Sequence, residues 1–238
     1  MLERVNLYND DVGYVELVDY MGSDITVVNS ARVSFGKHKT EMEEGDEKLI
    51  NYLIKHRHTS TLEHNTVTFR FKVPLFVRSQ HHRHRTWSYN EISRRYTDFN
   101  IEFYEPSAFR TQHKSNRQAS NSDSLINPKL YEGFAFEDDE GCAAAVKKHH
   151  KDCLAFYNNL LSVGICREQA RGVLPQNMYT EYYGTANLNN ILKFVDLRTH
   201  EGAQWEIQQV AIAVLDITKG LFPVTVEAYK NIRGGVSV

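Results

Sequence analysis

Residues 66–73 read TVTFRFKV, with Val67, Phe69, Phe71 and Val73 alternating with polar or charged residues. A period of two puts one set of side chains on one face, which only a β-strand does, and the run is rich in strand-forming residues. Pro74 ends it and suits the first turn of a helix, expected over Pro74–His82. A second alternating run, YVELVD at Tyr14–Asp19, reads as another strand, and Met178–Thr185, with three tyrosines, as a third. Elsewhere the apolar period is helical. Gly45–His58 places Leu49, Tyr52, Leu53 and His56 on one face, and Asp24–Phe35 is expected to be a short helix capped by its Asp. Glu140–Val163 forms a long helix ended by Gly164, and Glu168–Leu174 a shorter one stopped by Pro175. Leu188–Leu197 and Ala203–Lys219 follow, the last with a core stripe of Ile207, Val210, Val214 and Ile217. This is helix-rich α+β in one domain over 1–238, without the regular strand–helix alternation of a doubly wound sheet.

Residues 106–130 are dense in Ser, Asn, Gln and Arg, and read as a long exposed polar loop. The rest is ordinary for a globular protein: 238 residues, 41% hydrophobic, 24% charged, formal net charge -2. With that balance any anion site must be a local cluster. No apolar run is long enough to span a bilayer, and the acidic start does not resemble a signal peptide, so a cytoplasmic protein is expected. Cys142, Cys153 and Cys166 form no CxxC pair and read as small buried helix residues. Neither GxGxxG nor a P-loop is present.

The local cluster is RHRTWSYNEISRR, residues 83–95. Arg83, Arg85, Arg94 and Arg95 against Glu91 carry a local charge of about +3 by count of fixed charges. Guanidinium forks bind phosphate or carboxylate oxygens bidentately, while Ser88, Asn90 and Ser93 add hydrogen-bonding groups. Glu91 can accept from a ribose hydroxyl or ring N–H, and Trp87 and Tyr89 offer flat faces for stacking. These are the parts of a nucleotide pocket. The bland alternative is a solvated helix with Glu91 and Arg95 paired at i,i+4, which does not explain the interleaved Ser, Asn and Trp. RNA binding by a basic, aromatic-interleaved patch over 81–95 is a second functional reading. A metal site from His56, His58, His64 and the HHRH run is disfavoured, because no carboxylate has matching spacing and the arginines repel a cation.

The run fits RHRxxSxNxxSxR at all seven fixed positions, the signature of the flavin-dependent thymidylate synthases. Residues 56–80 and 167–211 resemble the same family, so the resemblance covers most of the chain, least over about 100–145. It implies methylation of dUMP to dTMP with methylenetetrahydrofolate as carbon donor, and FAD and NADPH as reductant. It also implies antiparallel strands with long helices in a homotetramer, with neither nucleic acid nor membrane as partner. Position by position, Gln80, Arg83, Glu91, Ser93, Arg94 (through its backbone), Arg95 and Arg171 would contact dUMP, and Arg198 the uracil ring. Ser60, Arg83, His84, Arg85, Glu91, Asn187, Asn189 and Lys193 would contact FAD, with His58 nearby. Lys193 stands where some members have a flavin-contacting asparagine, and Gly202 where some have a histidine. A flavin- and folate-dependent RNA methyltransferase is the alternative in the same chemical class.

Uracil C5 must gain electron density before it attacks a methylene group. A cysteine thiolate adding to C6 is one route, but no cysteine here sits in an activating context. The resemblance leaves Arg198 as the catalytic residue, stabilising negative charge on the ring's O2/N3 edge. Ser93 lacks a His–Asp partner and is given a binding role.

Overall fold

The computed structural model describes residues 3–117, 119–130 and 141–233. Its elements are β1 (Arg4–Asn6), β2 (Tyr14–Met21), α1 (Asp24–Arg32), α2 (Asp46–Lys55), β3 (Thr66–Pro74), α3 (Leu75–His81) and β4 (Ser88–Glu91). There follow β5 (Phe109–Gln112), β6 (Ser120–Ile126), α4 (Cys142–Ser162), α5 (Arg167–Ala170), β7 (Tyr179–Asn187), α6 (Leu188–Thr199), α7 (Trp205–Leu221) and α8 (Pro223–Arg233). It is a mixed α/β structure with antiparallel strand pairs. The chain divides into two compact units interleaved in sequence.

The first unit holds the residues up to Lys72, Gln80–Asn90, and those from Tyr182 onward. It contains most residues of the sheet ordered β1-β2-β3-β7-β4. In β3 the expected alternation is realised: Val67, Phe69, Phe71 and Val73 are buried. β2 pairs antiparallel with β3, Leu17 opposite Phe69, and the register shifts between Leu17 and Asp19. The stripe of α7, Ile207, Val210, Val214 and Ile217, is fully buried. Each such side chain contributes about 1.5–3 kcal/mol. α7 packs on α6 and β2, and α2 packs on α8.

The second unit holds Val73–Ser79 and Glu91–Glu181. Residues 91–104 are laced to 176–181 by backbone bonds: Ile92 N to Glu181 O (2.9 Å), Tyr104 N to Asn177 O (2.9 Å) and Tyr179 N to Glu102 O (2.8 Å). Leu75 N donates to Met178 O at 3.0 Å. α4 packs against α5.

Several expectations need correction. Residues 106–130 are not a loop throughout: β5 and β6 pair antiparallel, Phe109 with Ile126 and Gln112 with Ser120. Polar side chains reinforce this hairpin, Gln112 Nε2 donating to Ala119 O (2.9 Å) and Asn121 Nδ2 to Thr111 Oγ1 (3.0 Å). No apolar alternation announces such strands. The cap of α1 is Ser23, whose N–H donates to Thr26 Oγ1. Asp24 instead accepts from the N–H groups of Val224 and Thr225, holding the start of α8, which the sequence did not suggest. The long helix begins at Cys142; its expected start, Glu140, lies outside the described residues. The cysteines are not buried: Cys142 and Cys153 are half-buried in α4, and Cys166 is exposed at the cap of α5.

Candidate functional site

The site is built from a tight segment after α3. His84 N donates to His81 O (2.9 Å), and Trp87 N to His84 O (3.3 Å). Tyr89 Oη donates to the carbonyls of His81 (2.9 Å) and His84 (3.1 Å). His81 and Trp87 are buried, each packed against Phe71 and Phe194. Burying these rings turns Arg83 and Arg85 outward, where both are exposed. It also corrects the stacking role expected for Trp87, only 6% exposed, and Tyr89, which stacks on His82 at 4.1 Å. The flat surface on which an RNA reading would rest is therefore largely spent inside the protein.

The last turn of α6 brings Arg198 to this segment. Arg198 Nε donates to His84 Nε2 (3.0 Å), and Nη2 donates to Gln80 O (3.0 Å). Nη1 has no hydrogen-bond partner among the described residues. Gln80 Nε2 donates to Gln204 Oε1 (2.6 Å), and Gln204 Nε2 to Glu206 Oε2 (2.9 Å). Burial, then the charge of Arg83, pull the Arg198 pKa below its ordinary value. Burial, then the Arg198 charge, lower that of His84 to about 4, so its ring is neutral and Nε2 accepts at neutral pH. The structure thus gathers Gln80, Arg83, His84 and Arg198. Gln204 was missed; no periodicity marks it.

The other end of α6 carries Asn187, Asn189 and Lys193. Asn187 caps the helix, accepting from Asn190 N at 3.0 Å. Asn189 is buried and donates to Glu63 Oε1 (2.8 Å), just after the 3-10 turn Thr59–Leu62 that bears Ser60. Lys193 is exposed. His58 and Ser60 line a cavity of about 760 Å³ with Arg32, Phe35, Tyr52 and Arg57. Phe35 and Tyr52 expose their rings, and Arg32 Nε is buried without a partner. Guanidinium groups, hydroxyls and open aromatic faces around that volume are the donor set a flavin dinucleotide asks for.

In the second unit a cavity of about 500 Å³ is lined by Arg78, Glu91, Ser93, Arg94, Arg171 and Thr180, among others. Glu91 is held from two sides: Arg78 Nε donates to its Oε1 at 3.1 Å and Thr180 Oγ1 to the same oxygen at 2.7 Å. Neither partner was anticipated. Arg78 precedes the signature, and Thr180 follows an apolar strand residue. The helical Glu91–Arg95 pair of the bland reading is absent, because Ser88–Glu91 is strand; Arg95 lies 3.4 Å from Glu168 instead. Arg94 is buried, and its guanidinium donates to Phe99 O (2.7 Å) and Asn100 O (3.3 Å). Its side chain is thus committed to these two carbonyls rather than to the cavity.

Comparison with known proteins settles the family. The family described as thymidylate synthase complementing protein matches residues 16–224. The chain belongs to it. A flavin-dependent thymidylate synthase of Thermus thermophilus is 44% identical over 221 residues, 93% of this chain and 77% of that one. One from Kosmotoga olearia is 44% identical over 222 residues, 92% and 90% of the two chains. Among solved structures, the UMP/dUMP methylase PolB from Streptomyces cacaoi, bound with 5-Br dUMP, has a TM-score of 0.78 at 34% identity. That match covers 95% of this chain and 97% of PolB. Membership in the thymidylate synthase complementing family thus spans nearly all the elements described above. Among the described residues no helix is long and apolar enough to cross a membrane.

Proposed function

We propose that the protein is a flavin-dependent thymidylate synthase, one domain over 1–238, that methylates dUMP to dTMP in the cytoplasm. The observation that carries this is 44% identity to named enzymes of that activity over 93% of the chain, with every fixed signature position present. Methylenetetrahydrofolate is the carbon donor and NADPH the source of electrons. The protein works as a homotetramer.

Gln80, Arg83, Glu91, Ser93, the Arg94 backbone, Arg95 and Arg171 bind dUMP. The exposed guanidinium groups of Arg95 and Arg171, with Ser93, take the phosphate, for which forked donors are suited. Glu91, fixed by Arg78 and Thr180, presents its remaining carboxylate oxygen to a hydroxyl or N–H of the nucleotide. Ser60, Arg83, His84, Arg85, Glu91, Asn187, Asn189 and Lys193 hold FAD, and the Lys193 ammonium stands in for an amide by reaching a phosphate or ring carbonyl. Once reduced with electrons from NADPH, bound FAD would supply the hydride that completes the methyl group.

Arg198 is the catalytic residue. Two of its nitrogens are tied to protein acceptors, which fixes the guanidinium and leaves Nη1 to face the O2/N3 edge of uracil. A fixed cation there favours loss of the N3 proton and delocalises charge toward C5, which attacks the methylene carbon. No thiol is needed. Burial and then Asp152 raise the Cys153 pKa, which weakens it as a nucleophile, and Cys166 is exposed at a helix cap.

The test is the visible spectrum of the purified protein with added FAD, followed by dUMP and then a methylation assay. A flavin spectrum that shifts on dUMP addition, with dTMP formed, is expected. Failure to take up FAD, or uptake with no dTMP formed, would refute the proposal. Methyl transfer to RNA but not to free dUMP would instead favour the polymeric substrate.

A further inference from the structure

We propose that Arg57 is a recognition residue of the first unit's cavity, placed to take an oxyanion, phosphate or carboxylate, of the flat-ringed ligand that fills it. This rests on the functional reading above, which sets Ser60 and His58 of the same cavity against the flavin. It adds a residue that the resemblance does not name.

The backbone of α2 sets the position. Two reversed hydrogen bonds close the helix: Arg57 N donates to Ile54 O (3.1 Å), and His58 N reaches back to Leu53 O (2.8 Å). Such a stop needs a left-handed residue between the two donors, and glycine is the ordinary choice. α4 ends in the same way, with Gly164 N on Leu161 O and Ile165 N on Leu160 O, both at 3.0 Å, and Gly164 at a φ of 89°. A Cβ at Gly164 would meet nothing within 4 Å, so backbone conformation and not crowding calls for glycine there. At the end of α2 the same place is held by Arg57, at a φ of 58°. A side chain is disfavoured in that region unless the surroundings or a function hold it there. The chain thus uses glycine where only the stop is needed, and a strained arginine where the stop lines a cavity.

The chemistry of that cavity asks for an anion. Arg57 shares its volume of about 760 Å³ with Arg32, Phe35, Tyr52, His58 and Ser60, and among the described residues no carboxylate lines it. The Arg57 guanidinium has no hydrogen bond or ion pair among the described residues. Arg32 is committed on one side only: Nη2 lies 2.6 Å from Asp46, while Nε is buried without a partner. Asp46 is already matched by a second cation, Lys39 at 3.0 Å. Two guanidinium groups with donors to spare suit a phosphate or a carboxylate. Phe35 and Tyr52, 79% and 52% exposed, offer open faces to a flat ring. FAD joins its rings to a diphosphate, and methylenetetrahydrofolate joins its pterin to glutamate carboxylates. Either carries the ring and the oxyanion that this lining fits.

Two variants test this. Arg57→Gly removes the charge and relaxes the turn, whereas Arg57→Ala removes the charge and keeps the strain. Arg57→Gly is expected to melt about 2–4 °C above Arg57→Ala; equal melting temperatures would deny the strain and overturn the argument built on it. Calorimetric titrations then compare ligands with and without the oxyanion. FAD is set against riboflavin on flavin-free protein, and tetrahydrofolate against a tetrahydropterin lacking the glutamyl tail on FAD-loaded protein. In both variants FAD or tetrahydrofolate should bind about 10-fold more weakly, while its partner without the anion loses less than about 2-fold. A loss with FAD assigns the diphosphate, and a loss with tetrahydrofolate alone assigns the carboxylates. No loss with either, or an equal loss for the ligand without the anion, overturns the proposal. Wild-type protein that binds both ligands but forms no dTMP would refute the functional reading, while the Arg57 comparison still decides this proposal. Wild-type protein that binds neither would refute both.

Discussion

Arg78 and Glu91 form a half-buried ion pair, Nε to Oε1 at 3.1 Å, and Thr180 Oγ1 shares the same acceptor oxygen at 2.7 Å. One oxygen of Glu91 is thereby saturated and the carboxylate cannot rotate, so the other oxygen keeps a defined direction in the cavity lined by Ser93 and Arg171. Arg78→Met removes the charged partner without opening the fold. The dUMP KM is expected to rise about 10-fold, equivalent to ~1.4 kcal/mol. Thermal stability should fall little, because a partly exposed pair contributes only about 0–1 kcal/mol. Steady-state kinetics beside a melting curve checks both, and an unchanged KM would mean Glu91 needs no such support.

That pair also marks where the sequence was readable. Glu91 was singled out because it lies inside the signature, between its fixed Asn90 and Ser93, whereas Arg78 lies in an apolar helix start, PLFVRSQ, with nothing to distinguish it from a surface arginine. The β3 strand and the α7 stripe were legible because burial on one face writes a period into the residues. The β5–β6 hairpin was not, since polar side chains rather than a core hold it. Trp87 was misjudged for a related reason: a tryptophan among arginines looks available for stacking, yet here it faces Phe69 and Phe71 in the interior. Composition shows which side chains are present but not which of them the fold turns inward.

Arg94 illustrates a buried cation with a structural task. Burial lowers its pKa, an effect opposed by Tyr157, Asp98, Glu102 and Glu181. Its guanidinium clasps the carbonyls of Phe99 and Asn100, the latter residue at a φ of 51°. Arg94→Leu leaves both carbonyls without this donor. Segment 97–100 should then be cut faster in limited proteolysis, and dUMP affinity should weaken about 10-fold, ~1.4 kcal/mol, through displacement of the neighbouring Ser93. Wild-type protease resistance in the variant would contradict the clamp.

Gly184 is set by close approach. A Cβ built there would lie 2.8 Å from Phe71 Cε2 and 3.4 Å from Trp87 Cε3, both in the core of the first unit. Phe71 is backed by Tyr182, stacked at 5.1 Å, and Trp87 by His81 at 4.8 Å and Phe194 at 5.6 Å. Gly184→Ala is expected to destabilise by about 1–3 kcal/mol through overpacking. Adding Phe71→Leu to Gly184→Ala should return part of that loss, making the pair non-additive in a double-mutant cycle. Additive losses in denaturant titrations would show that the strain is relieved elsewhere.

Asp46 gives a prediction in pH. It is fully buried at the start of α2, with Arg32 Nη2 at 2.6 Å, Lys39 Nζ at 3.0 Å and the N–H of Glu43 at 2.9 Å. Burial alone would raise its pKa. The Glu43 N–H and the Lys39 and Arg32 side chains outweigh burial and bring it from 3.8 down to about 2. A carboxyl whose pKa is lower folded than unfolded stabilises the protein fully above the unfolded value and loses that contribution as pH falls through the folded one. The loss should therefore run from about pH 3.8 down to about pH 2. Asp46→Asn keeps the shape, removes the charge and should flatten that part of the stability curve. At neutral pH it should cost about 3 kcal/mol, since two cations lose their buried partner. Denaturant titrations of both proteins at pH 7 and at intervals below pH 4 read the two effects separately. A variant that matched wild type at pH 7 would mean that Arg32 and Lys39 find other partners once the carboxylate is gone.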